Sequence, residues 1–224
     1  MEFAGAKDSH FCTQSHAHDY SHRCPQMTDL ILASTSEIRA TLLRNAGLRI
    51  ETVSARVDED AIKQSMLAEG AKPRDIADAL AEAKARKVAS KGNSGLVLGC
   101  DQVLDFESDV ISKCETQAEA ISLLKKMRGK RHSLLSAAVI YEDMKPVWRH
   151  IGHVRLVMRD ASADYIEDYV ARNWDSIRNS VGGYKLEEEG VRLMSRIEGD
   201  YFTVLGLPLV ELLSYLTLRG TLPK

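Results

Sequence analysis

Residues 30–36 have the sequence LILASTS, in which a short apolar run passes directly into three hydroxyl-bearing residues. The apolar run predicts a buried strand over residues 30–33. Hydroxyl residues are typical of a helix start, and Ile38 and Leu42 then lie on one face of a helix predicted to end near Gly47. A strand followed at once by an amphipathic helix is the repeating unit of an α/β protein.

The alternation of apolar strands and amphipathic helices continues along the chain. The further strands are predicted at residues 49–55, 96–98, 132–141 and 147–158, and the further helices at 73–90, 116–127, 162–172 and 205–218. The sequence contains no internal repeat and no obvious interdomain linker. It therefore predicts a single α/β domain over residues 27–224, with a cleft between two lobes.

Residues 1–26 form a polar leader that carries four of the seven histidines. The leader lacks the apolar central region of a secretory signal, so we interpret it as a disordered tail, a misassigned start or a non-native extension. It contains soft-metal ligand types at Cys12, His16, His18, His22 and Cys24. Their spacing matches no closed zinc site, so we do not predict a metal there.

The overall charge and the cysteines restrict the classes of function. A formal net charge of -2 argues against binding to a nucleic-acid polymer or to a membrane surface. No segment is long and apolar enough to predict a membrane span. The four cysteines form no CxxC pair and are too few for a disulfide scaffold. We therefore expect a cytoplasmic protein.

Lys84 interrupts the apolar stripe of the helix predicted at residues 73–90. Ile76, Leu80 and Val88 follow one another at four-residue spacing, and Lys84 occupies the remaining position of that stripe. A buried lysine is costly unless its ammonium group finds anions. The alternative is that the side chain extends past its neighbours to solvent. The spacing alone leaves both interpretations open.

Asp101 follows the predicted strand 96–98 and Gly99. Ligands of open α/β sheets bind at the carboxyl ends of strands, where an acid is a natural metal ligand or general base. A turn or helix-capping aspartate is the alternative, and in isolation it is the commoner case.

Ser34, Ser36 and Arg39 surround the predicted start of the first helix. Free backbone N–H groups at a helix start bind anions, and an arginine one turn later can add a bidentate phosphate contact. Ordinary helix capping by either serine is the alternative.

Glu59 and Lys113 are unremarkable individually, since either can be a solvated surface charge. Together with Arg39, Lys84 and Asp101 they supply three cations and two acids from separate segments. Metal-assisted hydrolysis of a phosphoric anhydride needs such a set, because cations and metal offset phosphate charge while one carboxylate activates water.

The sequence resembles the Maf family of nucleotide pyrophosphatases over nearly all of residues 28–218. The segments that carry the resemblance are residues 30–36 with Arg39, Val57-Asp58-Glu59, residues 80–85, Gly99-Cys100-Asp101-Gln102, Lys113, Gly129 with His132, Gly183-Tyr184 and residues 206–209. The resemblance implies a mixed twisted sheet flanked by helices, similar to that of inosine triphosphatases, with a cleft between two lobes.

The resemblance also implies an activity and roles for individual residues. The reaction would be cleavage of a nucleoside triphosphate between its α- and β-phosphates, with Mg, Mn or Co as the divalent cation. Asp101 would accept the proton from water, and Asp101 and Glu59 would be the metal ligands. The remaining roles are phosphate binding by Ser34, Ser36 and Arg39, and polyphosphate and catalytic contacts by Lys84 and Lys113. A homodimer is also compatible with the resemblance.

Departures from the usual family pattern bear on substrate specificity. They are Ile38, where an arginine is common, Gln102, where threonine is common, Asn179-Ser180, where Asp-Lys is usual, and Glu187, where glutamine is expected. The combination resembles the branch that hydrolyses 7-methyl-GTP. A glutamate can accept hydrogen bonds from both N1–H and the exocyclic amine of guanine. A base that leaves a buried polar group without its partner loses about 1–3 kcal/mol of binding free energy. Alternatively, Glu187 is a solvated member of the acidic run 187–189.

Two further functions remain open at this point. One is a house-cleaning pyrophosphatase for dTTP, UTP and modified pyrimidine nucleotides. The other is a nucleotide-binding regulator of septum formation with little turnover. The retained set of acids and cations favours an enzyme over a binding protein.

Overall fold

The computed structural model describes residues 28–92 and 95–223. The predicted leader, its soft-metal ligand types and the expected domain start at Met27 lie outside these residues. Within them, the chain forms a mixed sheet with helices on both faces. None of the helices over these residues is long and apolar enough to cross a membrane.

Strands and helices are interspersed along the chain. The strands are β1 (Leu30–Leu32), β2 (Ile50–Thr52), β3 (Val97–Phe106), β4 (Asp109–Ile111), β5 (Arg131–Glu142), β6 (Lys145–Met158) and β7 (Met194–Glu198). The helices are α1 (Glu37–Asn45), α2 (Glu59–Ala68), α3 (Pro73–Ala89), α4 (Gln117–Met127), α5 (Ala163–Ile177), α6 (Tyr201–Val204) and α7 (Leu209–Leu218), with a 3-10 helix at Glu189–Leu193.

The strand order across the sheet is β2-β1-β3-β5-β6-β7, with β4 paired to the far end of β3. β1 runs parallel to β2 and β3, and the remaining pairs are antiparallel. The mixed α/β sheet predicted from the sequence is therefore confirmed.

The prediction for β3 was too short and placed Asp101 wrongly. β3 does not end at Gly99 but continues to Phe106, and Asp101 lies inside it, opposite Ala137 of β5. Gly99 was interpreted as a strand end because glycine is uncommon inside strands. β1 nevertheless stops opposite Leu98, so Asp101 lies beyond the carboxyl end of that neighbouring strand.

The buried side chains form three clusters, and β3 passes from two of them into the third. One face of its first half packs under α3, and the other face packs under α1 and α7. Farther along β3, Leu104 and Phe106 belong to the cluster built around α4 and α5. On the face toward α3, Asp101 lies between Val97 and Val103, which both belong to the cluster under that helix.

Several other element boundaries differ from the sequence-based expectations. The helix predicted at residues 205–218 starts only at Leu209, because Gly206 adopts φ +92 and Pro208 caps the start of α7. The short helix α6 lies before the predicted range. α5 ends at Ile177 rather than near residue 172. α2 was not predicted; none of its residues is fully buried, and only Ile62 and Met66, one turn apart, pack against the cluster under α3.

Candidate active site

Lys84 lies between two carboxylates. Its Nζ is 2.6 Å from Oδ1 of Asp101 and 2.9 Å from Oε1 of Glu59. Lys84 is 8% exposed and Asp101 is 7% exposed. The lysine therefore stays inside the protein, and the two acids supply the anions that its burial requires.

Close packing of α3 on β3 brings Lys84 to Asp101. Gly99 faces α3, and a Cβ at this position would come within 2.9 Å of the Ala85 Cβ and 2.6 Å of the Ala85 backbone nitrogen. Side chains two residues apart on a strand share a face, so Asp101 points to the same side as Gly99. Because Lys84 is next to Ala85 in α3, this close packing places its side chain beside the carboxylate of Asp101.

Glu59 reaches the same ammonium group from the first residue of α2. Asp58 caps this helix by accepting a hydrogen bond of 3.0 Å from the Ala61 N–H. Partial burial raises the pKa of Glu59, but the charge and hydrogen bond of Lys84 and the charges of Lys113 and Arg39 outweigh it. The pKa of Glu59 consequently lies below its ordinary value, and the group is a carboxylate at neutral pH.

The segment between β1 and α1 leaves a helix start without a side-chain cap. Ser36 occupies the capping position, but its side chain makes no capping hydrogen bond. Its backbone N–H instead donates to Oγ of Ser34 over 3.1 Å. The Ser36 hydroxyl and the first N–H groups of α1 thus face no capping side chain, which suits an anion better than the alternative of ordinary capping.

Arg39 is held by neutral groups. Its Nε donates to the carbonyl of Gly206 over 2.8 Å, and its Nη1 donates to the carbonyl of Cys100 over 3.1 Å. Arg39 has no ion pair among the described residues, so its charge is oriented without being neutralised. By contrast, the charge of Lys84 is offset by two acids.

Lys113 lies on the loop after β4. Its backbone forms an isolated antiparallel bridge with Val181, and α2 anchors the adjacent residue through a 3.0 Å hydrogen bond from Lys63 Nζ to Ser112 Oγ. The Lys113 side chain is exposed and has no ion pair within the described part of the chain. Its charge is close enough to lower the pKa of Glu59. The five charged positions singled out in the sequence therefore converge.

A cavity of about 170 Å³ opens beside this group of charges. It is lined by Ala33, Ser34, Thr35, Ser54, Ala55, Arg56, Val57, Glu59 and Lys84. Arg56 was not singled out from the sequence. Its backbone adopts φ 49, an uncommon conformation for a residue other than glycine, and no sequence signal indicates this geometry.

Gln102 points away from Asp101, because neighbouring residues of a strand face opposite sides. Its Nε2 donates to the carbonyl of Val204 over 2.9 Å, to Oγ of Ser136 over 2.9 Å and to the carbonyl of Thr203 over 3.1 Å. This amide group therefore fixes α6 to the sheet. Ile38, the second candidate for specificity, is half-buried against the cluster under α1 and α7.

Glu187 differs from its two acidic neighbours. Glu188 accepts hydrogen bonds from Ser176 and Lys185, and Glu189 accepts from Arg172 and Asn173. Glu187 is exposed and has neither a hydrogen bond nor an ion pair among the described residues. It is thus the member of the acidic run whose carboxylate is available, although no such bond connects it to Asp101 or Lys84.

His132 and Tyr184 belong to the motifs that carry the family resemblance, but they lie in the cluster around α4 and α5 rather than at Lys84. His132 Nε2 is 2.6 Å from the Tyr184 hydroxyl, and the two rings meet edge to face. Burial lowers the pKa of His132 to about 4, so the ring is neutral. The pair lies in the interior, and Nδ1 of His132 is buried without a hydrogen-bond partner among the described residues.

The fold and site define an α/β protein in which a buried lysine lies between two carboxylates, beside a helix start that has no side-chain cap. The family model described as Maf-like protein matches residues 29–218. The chain belongs to the Maf family.

Relatives cover nearly the full domain. A protein of Roseobacter denitrificans named nucleoside triphosphate pyrophosphatase is 65% identical, over 87% of this chain and 98% of its own. A protein of Ruegeria sp. with the same name is 64% identical, over 88% of this chain and 99% of its own. A protein of Brucella abortus named 7-methyl-GTP pyrophosphatase is 43% identical, over 84% of this chain and 94% of its own. Among solved structures, a HAM1 protein from Coxiella burnetii matches with 16% identity and a TM-score of 0.40, over 60% of this chain and 75% of its own.

Proposed function

We propose that this chain is a metal-dependent nucleoside triphosphate pyrophosphatase that cleaves between the α- and β-phosphates. The observation that carries the proposal is the Asp101 carboxylate held by Lys84 beside Glu59, at a cavity bordered by the uncapped start of α1. The names of relatives at 65% and 64% identity support the same class of enzyme.

Asp101 is suited to act as the general base. Lys84 binds its Oδ1, and its Oδ2 has no hydrogen-bond partner among the described residues. In the proposed step, a water oxygen forms a bond to the α-phosphorus while its proton passes to Asp101. The bond from the α-phosphorus to the bridging oxygen breaks, and its electron pair leaves with pyrophosphate. Arg39 and Lys113 offset the charge on the phosphate oxygens.

The donor set fits a divalent cation that arrives with the nucleotide. Oδ2 of Asp101 and Oε2 of Glu59 are both free of hydrogen bonds within the described residues. No group of three or more His, Cys, Asp or Glu side chains in the described ranges forms a closed metal cage. Mg²⁺ is commonly held by one or two carboxylates together with substrate phosphates. A bound cation would supply Lewis-acid stabilisation of phosphate charge.

We further propose a modified purine nucleotide such as 7-methyl-GTP as the substrate. The unpaired carboxylate of Glu187 supports this choice, since it is the group able to accept both hydrogen bonds from guanine. The name of the Brucella abortus relative points the same way. The more similar relatives are named only by class, so dTTP and UTP are the competing substrates.

A nucleotide panel tests the proposal. The purified full chain is assayed with 7-methyl-GTP, GTP, dTTP and UTP, each with Mg, Mn or Co and with a chelator, and pyrophosphate release is scored. We expect pyrophosphate to be released only with metal, and 7-methyl-GTP to have the highest kcat/KM. Release of phosphate, or turnover unaffected by the chelator, would refute the reaction. Faster cleavage of dTTP and UTP would refute the purine assignment, and binding without turnover would support a regulatory protein.

A further inference from the structure

A row of three residues across the sheet receives the short helix α6. Gln102 of β3 lies opposite Ser136 of β5, which in turn lies opposite Gly152 of β6. Thr203 of α6 packs against this row, since a Cβ at Gly152 would come within 2.6 Å of the Thr203 Oγ1. Ser136 and Thr203 are both buried. α6 therefore lies directly on the sheet, on the face opposite to the side chain of Asp101.

The carbonyl of Thr203 collects three hydrogen bonds at this contact. Ser136 Oγ donates to it over 2.7 Å, Gln102 Nε2 over 3.1 Å and the Gly206 N–H over 3.1 Å. Gln102 Nε2 also donates to the next carbonyl, that of Val204, over 2.9 Å. One amide group of β3 thus binds two consecutive carbonyls of α6, and one of these carbonyls binds the turn that follows the helix.

Gly206, in that turn, connects α6 to Arg39. Its carbonyl accepts the 2.8 Å hydrogen bond from Arg39 Nε, while Nη1 of the same guanidinium donates over 3.1 Å to the carbonyl of Cys100 in β3. A Cβ at Gly206 would come within 3.0 Å of Arg39 Nη2, so the guanidinium packs directly on this glycine. Arg39 is therefore held between one backbone oxygen of the sheet and one of the turn after α6.

Gln102 ties these two backbone oxygens together. It belongs to the same strand as Cys100, two residues farther along, and its amide binds the helix that leads into Gly206. A glutamine amide has two donor hydrogens, whereas a methionine side chain of similar length has none. Without these donors, the carbonyls of Thr203 and Val204 lose their link to β3, and Gly206 is no longer fixed relative to Cys100.

We propose that Gln102 is a positioning residue for Arg39. By fixing α6 to β3, it holds the carbonyls of Gly206 and Cys100 at the separation that orients the guanidinium. The role rests on the proposed function, in which Arg39 offsets charge on the phosphate oxygens of the substrate. Gln102 acts through Arg39 and does not contact the nucleotide.

Affinity for inorganic tripolyphosphate tests the proposal in the full chain. Titration calorimetry compares the wild type, Gln102→Met, Arg39→Gln and the double variant. We expect affinity to fall about tenfold in each single variant. In the double variant it should fall no further than in Arg39→Gln, because a residue that acts through Arg39 has no effect once the guanidinium is absent.

A control and a second variant separate positioning from a general loss of stability. Ile166→Val removes one methyl group from a fully buried side chain of the cluster around α4 and α5, so it lowers stability without touching α6. We expect it to keep the wild-type affinity. Ser136→Ala removes a neighbouring donor to the Thr203 carbonyl and is used if Gln102→Met does not fold. Its loss of affinity should likewise disappear in the Arg39→Gln background.

Kinetics on the nucleotide panel supplies a further readout. Gln102→Met should lower kcat/KM for every nucleotide by the same factor, because all of them carry the triphosphate that Arg39 meets. The ranking of the bases should therefore match that of the wild type. A changed ranking with unchanged tripolyphosphate affinity would assign Gln102 to the nucleobase and would overturn the proposal.

The remaining outcomes distinguish this role from the proposed activity. Independent losses, which would multiply to about a hundredfold in the double variant, would overturn the positioning role. Wild-type affinity in Gln102→Met, or no measurable binding of tripolyphosphate to the wild type, would do the same. If no nucleotide is hydrolysed but the effects of the Gln102 and Arg39 variants on tripolyphosphate binding are coupled, the proposed function fails while the positioning role stands.

Discussion

Gly99 lies so close to α3 that a Cβ at this position would approach the Ala85 backbone nitrogen to 2.6 Å. The obstruction is backbone, so it cannot be relieved by rotating a side chain. The contact sets the distance between helix and strand, and with it the 2.6 Å separation of Lys84 Nζ and Asp101 Oδ1. Gly99, which has no side chain, thus controls the geometry of the Lys84–Asp101 ion pair.

The first prediction concerns Gly99→Ala. The added methyl group has to push α3 away from β3, which typically costs about 1–3 kcal/mol for overpacking. We expect a lower unfolding midpoint in urea and a fall in kcat, because Lys84 moves away from Asp101. Gly47→Ala is the control: Gly47 has φ +85, but its added methyl carbon would meet no atom within 4 Å, so this variant loses stability while kcat stays unchanged. Wild-type kcat in Gly99→Ala would contradict the argument.

The second prediction concerns Asp101→Asn. The amide cannot take the proton from water, so we expect kcat to fall by about 10²- to 10⁴-fold with little change in nucleotide affinity. Asp105→Asn on the same face of β3 is the matched control, since the Asp105 side chain caps a turn by accepting from the Ser108 N–H. Steady-state kinetics with equilibrium binding measure both quantities. Near-normal turnover in Asp101→Asn would remove Asp101 from the reaction.

The third prediction concerns Glu187→Gln. Loss of a carboxylate that accepts two hydrogen bonds from guanine should lower kcat/KM for 7-methyl-GTP relative to UTP, by about tenfold. Glu188→Gln is the control within the same acidic run, because Glu188 already bonds to Ser176 and Lys185. We expect its substrate ranking to match that of the wild type. If both variants keep the wild-type ranking, Glu187 does not read the base.

The fourth prediction concerns His132→Gln and the pH dependence of stability. Burial lowers the folded-state pKa of His132 from 6.5 to about 4, so the unfolded chain binds the proton more readily. The contribution to stability is complete above pH 6.5 and declines, by up to about 1.4 kcal/mol per pH unit, as the pH falls toward 4. The free energy of unfolding, measured by urea titration between pH 7 and pH 4, should therefore fall less with decreasing pH in the variant than in the wild type. The same pH dependence in variant and wild type would mean that burial does not lower the pKa of His132 in the folded protein.

The charged residues that lie together around Lys84 could be singled out from the sequence, whereas their geometry could not, and their roles in a reaction stay predictions. Lys84 stood out because it interrupts an apolar stripe, and the structure places it between Asp101 and Glu59. The family and the class of enzyme predicted from the sequence are confirmed by the comparisons. The end of β3 was predicted wrongly at Gly99, because the sequence does not reveal whether a glycine ends a strand or allows a helix to pack closely against it.

Other features depend on contacts between distant segments and leave little local trace. α2 has no fully buried residue, and its contact with the core is limited to partly buried side chains such as Ile62 and Met66. The left-handed conformation of Arg56 has no sequence signal comparable to an Asn-Gly turn. Gln102 was interpreted together with Asp101, but strand alternation sends its amide to Thr203 and Val204 on the opposite face. Its effect on specificity stays a prediction.

The hydrogen bond from Arg39 to the Gly206 carbonyl spans 167 positions of the chain. During synthesis, α1 and its helix start can form early, but the guanidinium group acquires this partner only after Gly206 has left the ribosome. An unfinished chain that contains both Asp101 and Lys84 therefore still lacks the anchored arginine. Completion of the proposed phosphate site therefore coincides with completion of the protein.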